Sequence, residues 1–150
     1  DKAIICGLKS VKWYGRNQII QKKPFVIFDV AHNIAGMKSF LEYYKILNIT
    51  GTSVLIIALQ ARKQIQPVIP LFQTMFKYIV CTEAAGRNSM SVNMLGNLFT
   101  DDTIKIIREP QEAILWGQEK LTPEGGMAII GSHGLGPAIS SIFKISFDKY

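Results

Sequence analysis

The chain has 150 residues, 48% of them hydrophobic and 19% charged, which excludes disorder and fits one domain burying roughly 70% of its unfolded surface. Seventeen Lys and Arg against eleven Asp and Glu give a net charge of +6, which favours anionic partners such as phosphates or acidic substrates. No apolar run nears the ~20 residues needed to span a bilayer, and the basic residues are scattered rather than interleaved with aromatics as a nucleic-acid groove requires.

In chain order, Asn17–Gln21 reads as a short strand that turns at Lys22-Lys23 into the apolar run Phe25-Val26-Ile27-Phe28, giving an antiparallel edge pair. That run breaks abruptly into Asp29-Val30-Ala31-His32-Asn33, which is polar chemistry at the carboxyl end of a buried strand. Met37, Phe40, Leu41, Tyr44 and Leu47 recur three and four apart and line one face of a helix, with Asn33 as its N-cap and Gly51 as its stop. The strand Thr52–Leu59 then runs into Gln60, Arg62 and Lys63. A helix from about Gln66 to Phe76 follows; Pro67 suits its first turn, while Pro70 leaves open a later start.

A third strand, Lys77–Cys81, runs into Thr82 and Glu83. Ser91 caps a short helix through Leu98, Thr103–Ile107 alternates as a fourth strand, and Pro110 opens a helix through Lys120 with Ala113, Ile114 and Leu121 inward. Gly125-Gly126 turns the chain into the last buried strand, Met127–Ile130, which runs into Gly131, Ser132 and His133. The tail Ile142–Tyr150 reads equally as a last strand or a docked end. This alternation predicts one α/β domain over 1–150, a Rossmann-like three-layer sandwich with a mostly parallel sheet and an antiparallel edge strand. Ligands of such sheets bind outside the carboxyl ends of the strands, where the polar groups and both histidines would then gather.

The sequence has neither a Gly-x-x-x-x-Gly-Lys-Ser/Thr loop nor a Gly-x-Gly-x-x-Gly after the first strand, so it carries no phosphate cradle or dinucleotide fingerprint of its own. Gly131-Ser132-His133-Gly134-Leu135-Gly136 follows a strand and is a weak sign of an anion contact through exposed amides. Cys6 and Cys81 lack disulfide or metal spacing. Cys81 reads as a small core residue, and a reducing, cytoplasmic setting is expected. No signal-peptide pattern leads the chain, and a start at Asp1 is what a fragment or a trimmed form would show.

With these motifs in place, the chain resembles the C-terminal domain of folylpolyglutamate synthase/dihydrofolate synthase, a branch of the Mur ligase family. Gly7-Leu8 followed by Trp13-Tyr14-Gly15-Arg16 looks like that family's leading segment, and Asp29-Val30-Ala31-His32-Asn33 is similar to its Asp-Gly-Ala-His-Asn-Pro. Lys63 stands at the lysine of an Asp-Lys-Asp turn, Glu112-Ala113-Ile114 looks like the helix before the last core strand, and Gly131-Ser132 like the Gly-Ser that ends it. The sequence departs from the pattern at Val30, Ile34, Arg62, Gln64, His133 and Gly134, which bears on substrate detail more than on the family.

The resemblance implies an ATP-dependent ligase that adds glutamate to folate or dihydropteroate through an acyl phosphate, in a monomer with no membrane or nucleic-acid partner. ATP, Mg2+ and the phosphate loop would be held mainly by an N-terminal ATPase domain outside this chain, and no metal site is expected within it. By the same carry-over, Arg16 and Asp29 contact the nucleotide, His32 meets the phosphate or the incoming amino acid and is the one catalytic candidate, and Lys63 and Ser132 bind glutamate. Read without it, Arg16 is a surface arginine, Asp29 and Asn33 cap the following helix, and Glu83 with Arg87 is a solvated loop pair. A peptidoglycan Mur ligase domain and a non-catalytic α/β binding module are the competing readings.

Overall fold

The computed structural model describes residues 2–10, 13–100 and 104–147. The chain runs α1 (Lys2–Ser10), β1 (Gln18–Lys22), β2 (Phe25–Asp29), α2 (Ile34–Ile46), β3 (Ser53–Ile57), α3 (Ile69–Met75), β4 (Tyr78–Cys81), α4 (Val92–Gly96), β5 (Ile104–Ile106), α5 (Pro110–Lys120), β6 (Gly126–Ile130) and α6 (Gly136–Phe143). Short 3-10 turns precede α3 (Gln66–Val68) and α6 (His133–Leu135).

The strands form one sheet in the order β1-β2-β6-β3-β4-β5. Only β1 is antiparallel; it pairs with β2 across a turn that contains the cis Lys23-Pro24 bond. All other pairs are parallel, in registers that bring Asp29, Ile57 and Cys81 level with one another through Ile130 and Ile57. Parallel strands covered on both sides read as continuous apolar runs, and the period of two then divides their side chains between faces. Ile27, Leu55, Ile57, Ile79, Cys81, Ala128 and Ile130 face α2, α3 and α4. Val26, Phe28, Val54, Ile56, Val80, Met127 and Ile129 face α5 and α6.

This is the three-layer, mostly parallel sheet with an antiparallel edge that the alternation predicts. The helix register holds too: Met37, Phe40, Leu41 and Tyr44 are buried, and the Asn33 Oδ1 accepts from the Gly36 N–H at 2.8 Å. Removing that cap with Asn33→Ala should cost about 1 kcal/mol, or ~2–4 °C in a thermal melt; an unchanged melt would show that the helix does not depend on it. The expected stop at Gly51 is corrected. The helix ends at Ile46 with Leu47 as its C-cap, and Asn48 takes the left-handed turn at φ 49°, whereas Gly51 donates its amide to the Glu124 carbonyl at 3.1 Å. Pro70 does set the later helix start, since Pro67 opens only the 3-10 turn.

Two helices were not anticipated. α1 carries Ile4 and Ile5 exposed, and α6 rises directly from the glycine-rich segment after β6. Beyond α6 the tail docks: Phe147 meets Phe28 and Tyr14 edge-on, with ring centroids 5.9 and 5.7 Å away. Thr103 and residues 148–150 of the expected strand and tail lie outside the described residues.

Burial also makes a chemical prediction. It pushes the Cys81 thiol up from an ordinary 9.0 to about 12. The Tyr44 hydroxyl likewise rises to about 12, with Ser53 acting weakly the other way. Both groups favour the folded state in their neutral form. That contribution is complete below their unfolded values and is lost as the pH climbs through about 9 to 12. In a thiol titration at pH 8 the exposed Cys6 should react at once and Cys81 only on unfolding. Two fast thiols in the native protein would contradict the packing.

Candidate functional site

Chain direction determines where a crevice opens. β2 and β3 lead into helices on one face of the sheet, while β6, which lies between them, leads into α6 on the other. Loops leaving adjacent strands toward opposite faces part from one another, and ligands bind in the gap at the carboxyl ends. Asp29 ends β2, Lys63 lies six residues past β3, and Ser132 lies two past β6. His32 follows Asp29 on the same loop. The expected residues are therefore brought to one edge of the sheet.

Asp29 is 5% exposed, and both its oxygens are engaged. Oδ1 accepts from the Ala31 N–H at 2.7 Å and Oδ2 from the Asn17 N–H at 2.7 Å. It is not the cap of α2; Asn33 has that role. Its carboxylate instead ties the Gly15-Arg16-Asn17 turn to the loop after β2, helped by the Val30 N–H donating to the Gly15 carbonyl at 2.9 Å. Gly15 is needed there on two counts. Its φ is 70°, and a Cβ would stand 2.7 Å from the Val30 Cγ1. Arg16 is exposed on this stapled turn, beside the Asp29–Asn33 loop.

His32 is half-buried, with Nδ1 2.9 Å from the Val30 carbonyl. A carbonyl only accepts, so this bond puts the hydrogen on Nδ1 and the lone pair of the neutral ring on Nε2. Ser132 turns its Oγ onto the Gly134 N–H at 3.1 Å.

Several amides of the glycine-rich segment are already bonded within the chain. The amides of Gly131, Gly134 and Leu135 are bonded to the Asp29 carbonyl, the Ser132 Oγ and the Ser132 carbonyl. These glycines permit close approach instead. At Gly131, with φ 105°, a Cβ would lie 2.2 Å from the Ala58 carbonyl oxygen.

The loop after β3 closes as a turn, with the Lys63 N–H on the Gln60 carbonyl at 3.0 Å. It also runs antiparallel to residues 88–90: the Met90 N–H meets the Leu59 carbonyl at 2.8 Å, Gln60 bridges Ser89, and the Ala61 N–H meets the Asn88 carbonyl at 2.9 Å. Glu83 does not form a solvated pair with Arg87. Its Oε1 accepts from the Val92 N–H at 3.0 Å and lies 3.6 Å from the Arg108 Nε.

An aromatic cavity was missed by motif reading. It holds about 450 Å3 beside the Arg16 turn, between Trp13, Tyr14, Phe28 and Phe147, with His133 at its edge. The Trp13-Tyr14 pair was its only sequence signal. Among the described residues no three His, Cys, Asp or Glu side chains converge as a metal cage would require.

No protein-family model and no curated protein sequence matches the chain. Solved structures do match it. The bifunctional folylpolyglutamate synthase/dihydrofolate synthase of Yersinia pestis, complexed with AMPPNP and Mn, superposes with a TM-score of 0.85 at 18% identity, over 97% of this chain and 35% of that one. FolC of E. coli, complexed with DHPP and ADP, gives 0.85 at 23% identity over 95% and 34%. A bifunctional synthase with Mn, AMPPNP and L-glutamate bound gives 0.86 at 18% over 97% and 35%.

This chain is an α/β domain with the fold found in these folate–glutamate ligases. It spans about a third of their length.

Proposed function

We propose that the chain is the glutamate-binding, nucleotide-closing domain of an ATP-dependent ligase that adds glutamate to folates. The observation behind this reading is that Asp29, His32, Lys63 and Ser132 all follow carboxyl ends of neighbouring parallel strands, with the Arg16 turn tied to Asp29. Its support is the fold shared with ligase structures that hold nucleotide in one case and glutamate in another.

In the reaction, a folate carboxylate attacks the terminal phosphate of ATP, releasing ADP and leaving an acyl phosphate. The amine of glutamate then attacks the acyl carbon, phosphate departs with the C–O electron pair, and the amine gives up a proton. Mg2+, held with the phosphate loop on the partner domain, would offset phosphate charge. Arg16 contributes a planar fork suited to phosphate oxygens, and Asp29 fixes the turn that carries it. Nε2 of His32 accepts a hydrogen bond from the incoming amine or from a phosphate hydroxyl. Lys63 and Ser132 hold the glutamate carboxylate, Lys63 as a point charge.

The division of labour is testable with the pure 150-residue chain. Given ATP, L-glutamate and a reduced pteroate, it should release no ADP, since its sequence has no phosphate loop. Glutamate-dependent ADP release by the chain alone would overturn the proposal.

A further inference from the structure

We propose that Phe147, in the tail beyond α6, is a positioning residue for Arg16: its ring wedges against the Arg16 turn and sets where the guanidinium stands. Arg16 is flanked by two left-handed residues, Gly15 at φ 70° and Asn17 at φ 42°. Left-handed backbone is costly for a residue other than glycine and persists where the surroundings over-determine it. One side of that hold is polar. The Gly15 N–H donates to the Gln18 Oε1 at 2.8 Å, the Asn17 N–H to the Asp29 Oδ2, and the Val30 N–H to the Gly15 carbonyl. The other side is aromatic. Tyr14, which leads into the turn, meets the Phe147 ring edge-on at 5.7 Å, and Phe147 meets Phe28 of β2 at 5.9 Å.

The tail is shaped to deliver that ring. Lys144 ends α6 in the left-handed conformation, at φ 55°, which turns the chain back. The Ser140 hydroxyl donates to the Ile145 carbonyl, and Ile145 and Phe147 pack onto the core between the sheet, α5 and α6. Phe147 also lies over Gly136, where a Cβ would stand 3.7 Å from its ring. One side chain thus joins the leading turn, β2 and the start of α6. Next to it is the cavity of about 450 Å3 shared with Trp13 and His133, so a shorter side chain at 147 would leave Tyr14 facing open space. The Arg16 side chain is exposed, and what aims it is the turn beneath it.

This role rests on the proposed function, because Arg16 needs aiming only if it meets a phosphate. Amide hydrogen exchange of the full 150-residue chain, followed by NMR, reads the latch itself. Phe147→Leu keeps apolar bulk, and so the fold, but loses the ring edge. The Asn17 and Val30 amides should then exchange about threefold to tenfold faster, the size expected for one edge-to-face pair. The comparison is with the Ile56 and Ile129 amides of the core strands, which report global opening. Ile142→Ala, which removes bulk from the same core, should leave that ratio unchanged. In the proposed full-length ligase, Phe147→Leu should lower kcat by a similar factor. It should have no further effect once Arg16 is alanine, because a residue acting through Arg16 then has nothing to position. An unchanged exchange ratio in Phe147→Leu would overturn the latch whatever the reaction. A kcat loss that persists in full beside Arg16→Ala would overturn it too. Wild-type turnover of Arg16→Ala alone fails the proposed function instead, and the exchange ratio does not depend on it.

Discussion

In the proposed full-length ligase, Arg16→Ala should lower kcat by about one to two orders of magnitude and leave the melting temperature unchanged. The magnitude follows from losing one charge-assisted contact to phosphate, roughly 1.5–3 kcal/mol. The effect should fall on kcat more than on the KM for ATP, because a contact made when two domains close acts mainly in the transition state. The fold should be indifferent, since the Arg16 side chain is exposed and its turn is held by the backbone of Gly15 and Asn17. Wild-type kcat and KM in this variant would show that Arg16 is only a surface arginine.

Asp29→Ala should have the largest effect on stability. It strands two backbone donors, those of Ala31 and Asn17, next to a site where the carboxylate is 5% exposed. Losing charged acceptors in such a place costs about 3 kcal/mol, or ~6–12 °C for a domain of this size. Turnover should fall as well, because the Arg16 turn loses its anchor. Asp29→Asn should rescue only part of the stability, as an amide offers one oxygen where the carboxylate offers two. A melt within 1–2 °C of wild type for Asp29→Ala would mean that the turn is held by the Gly15–Val30 bond alone.

The two positions also mark how far the sequence could be read. Strand ends were legible because a buried parallel strand is an apolar run that stops at its first charged residue, as Phe28-Asp29 does. The α2 register was legible because its buried stripe repeats at helical spacing and Asn33 is a short acceptor at the right place. The Asp29–Asn17 bond was not legible: it joins residues twelve apart through a turn whose shape depends on Gly15. The close approach at Gly131 was hidden for a similar reason. Glycines that admit a neighbouring carbonyl and glycines that expose amides to an anion look alike in sequence, and only the approach of Ala58 to Gly131 separates them. α6 went unseen because it starts at Gly136-Pro137 with no side-chain cap to mark it, although Pro is at home in a first helical turn. The pairing of Leu59–Ala61 with Asn88–Met90 was likewise invisible, since it belongs to two loops with no periodicity.

The central claim is that the carboxyl-end loops of this domain are its ligand face. Amide hydrogen exchange on the intact enzyme, with and without a non-hydrolysable ATP analogue plus L-glutamate, addresses it most directly. Protection should appear in segments 13–17, 29–33, 60–63 and 131–135, while 22–25 and 121–125 at the opposite edge of the sheet stay unchanged. Protection confined to that opposite edge, where a cavity of about 630 Å3 lies between Lys23, Asn48 and Glu124, would contradict it.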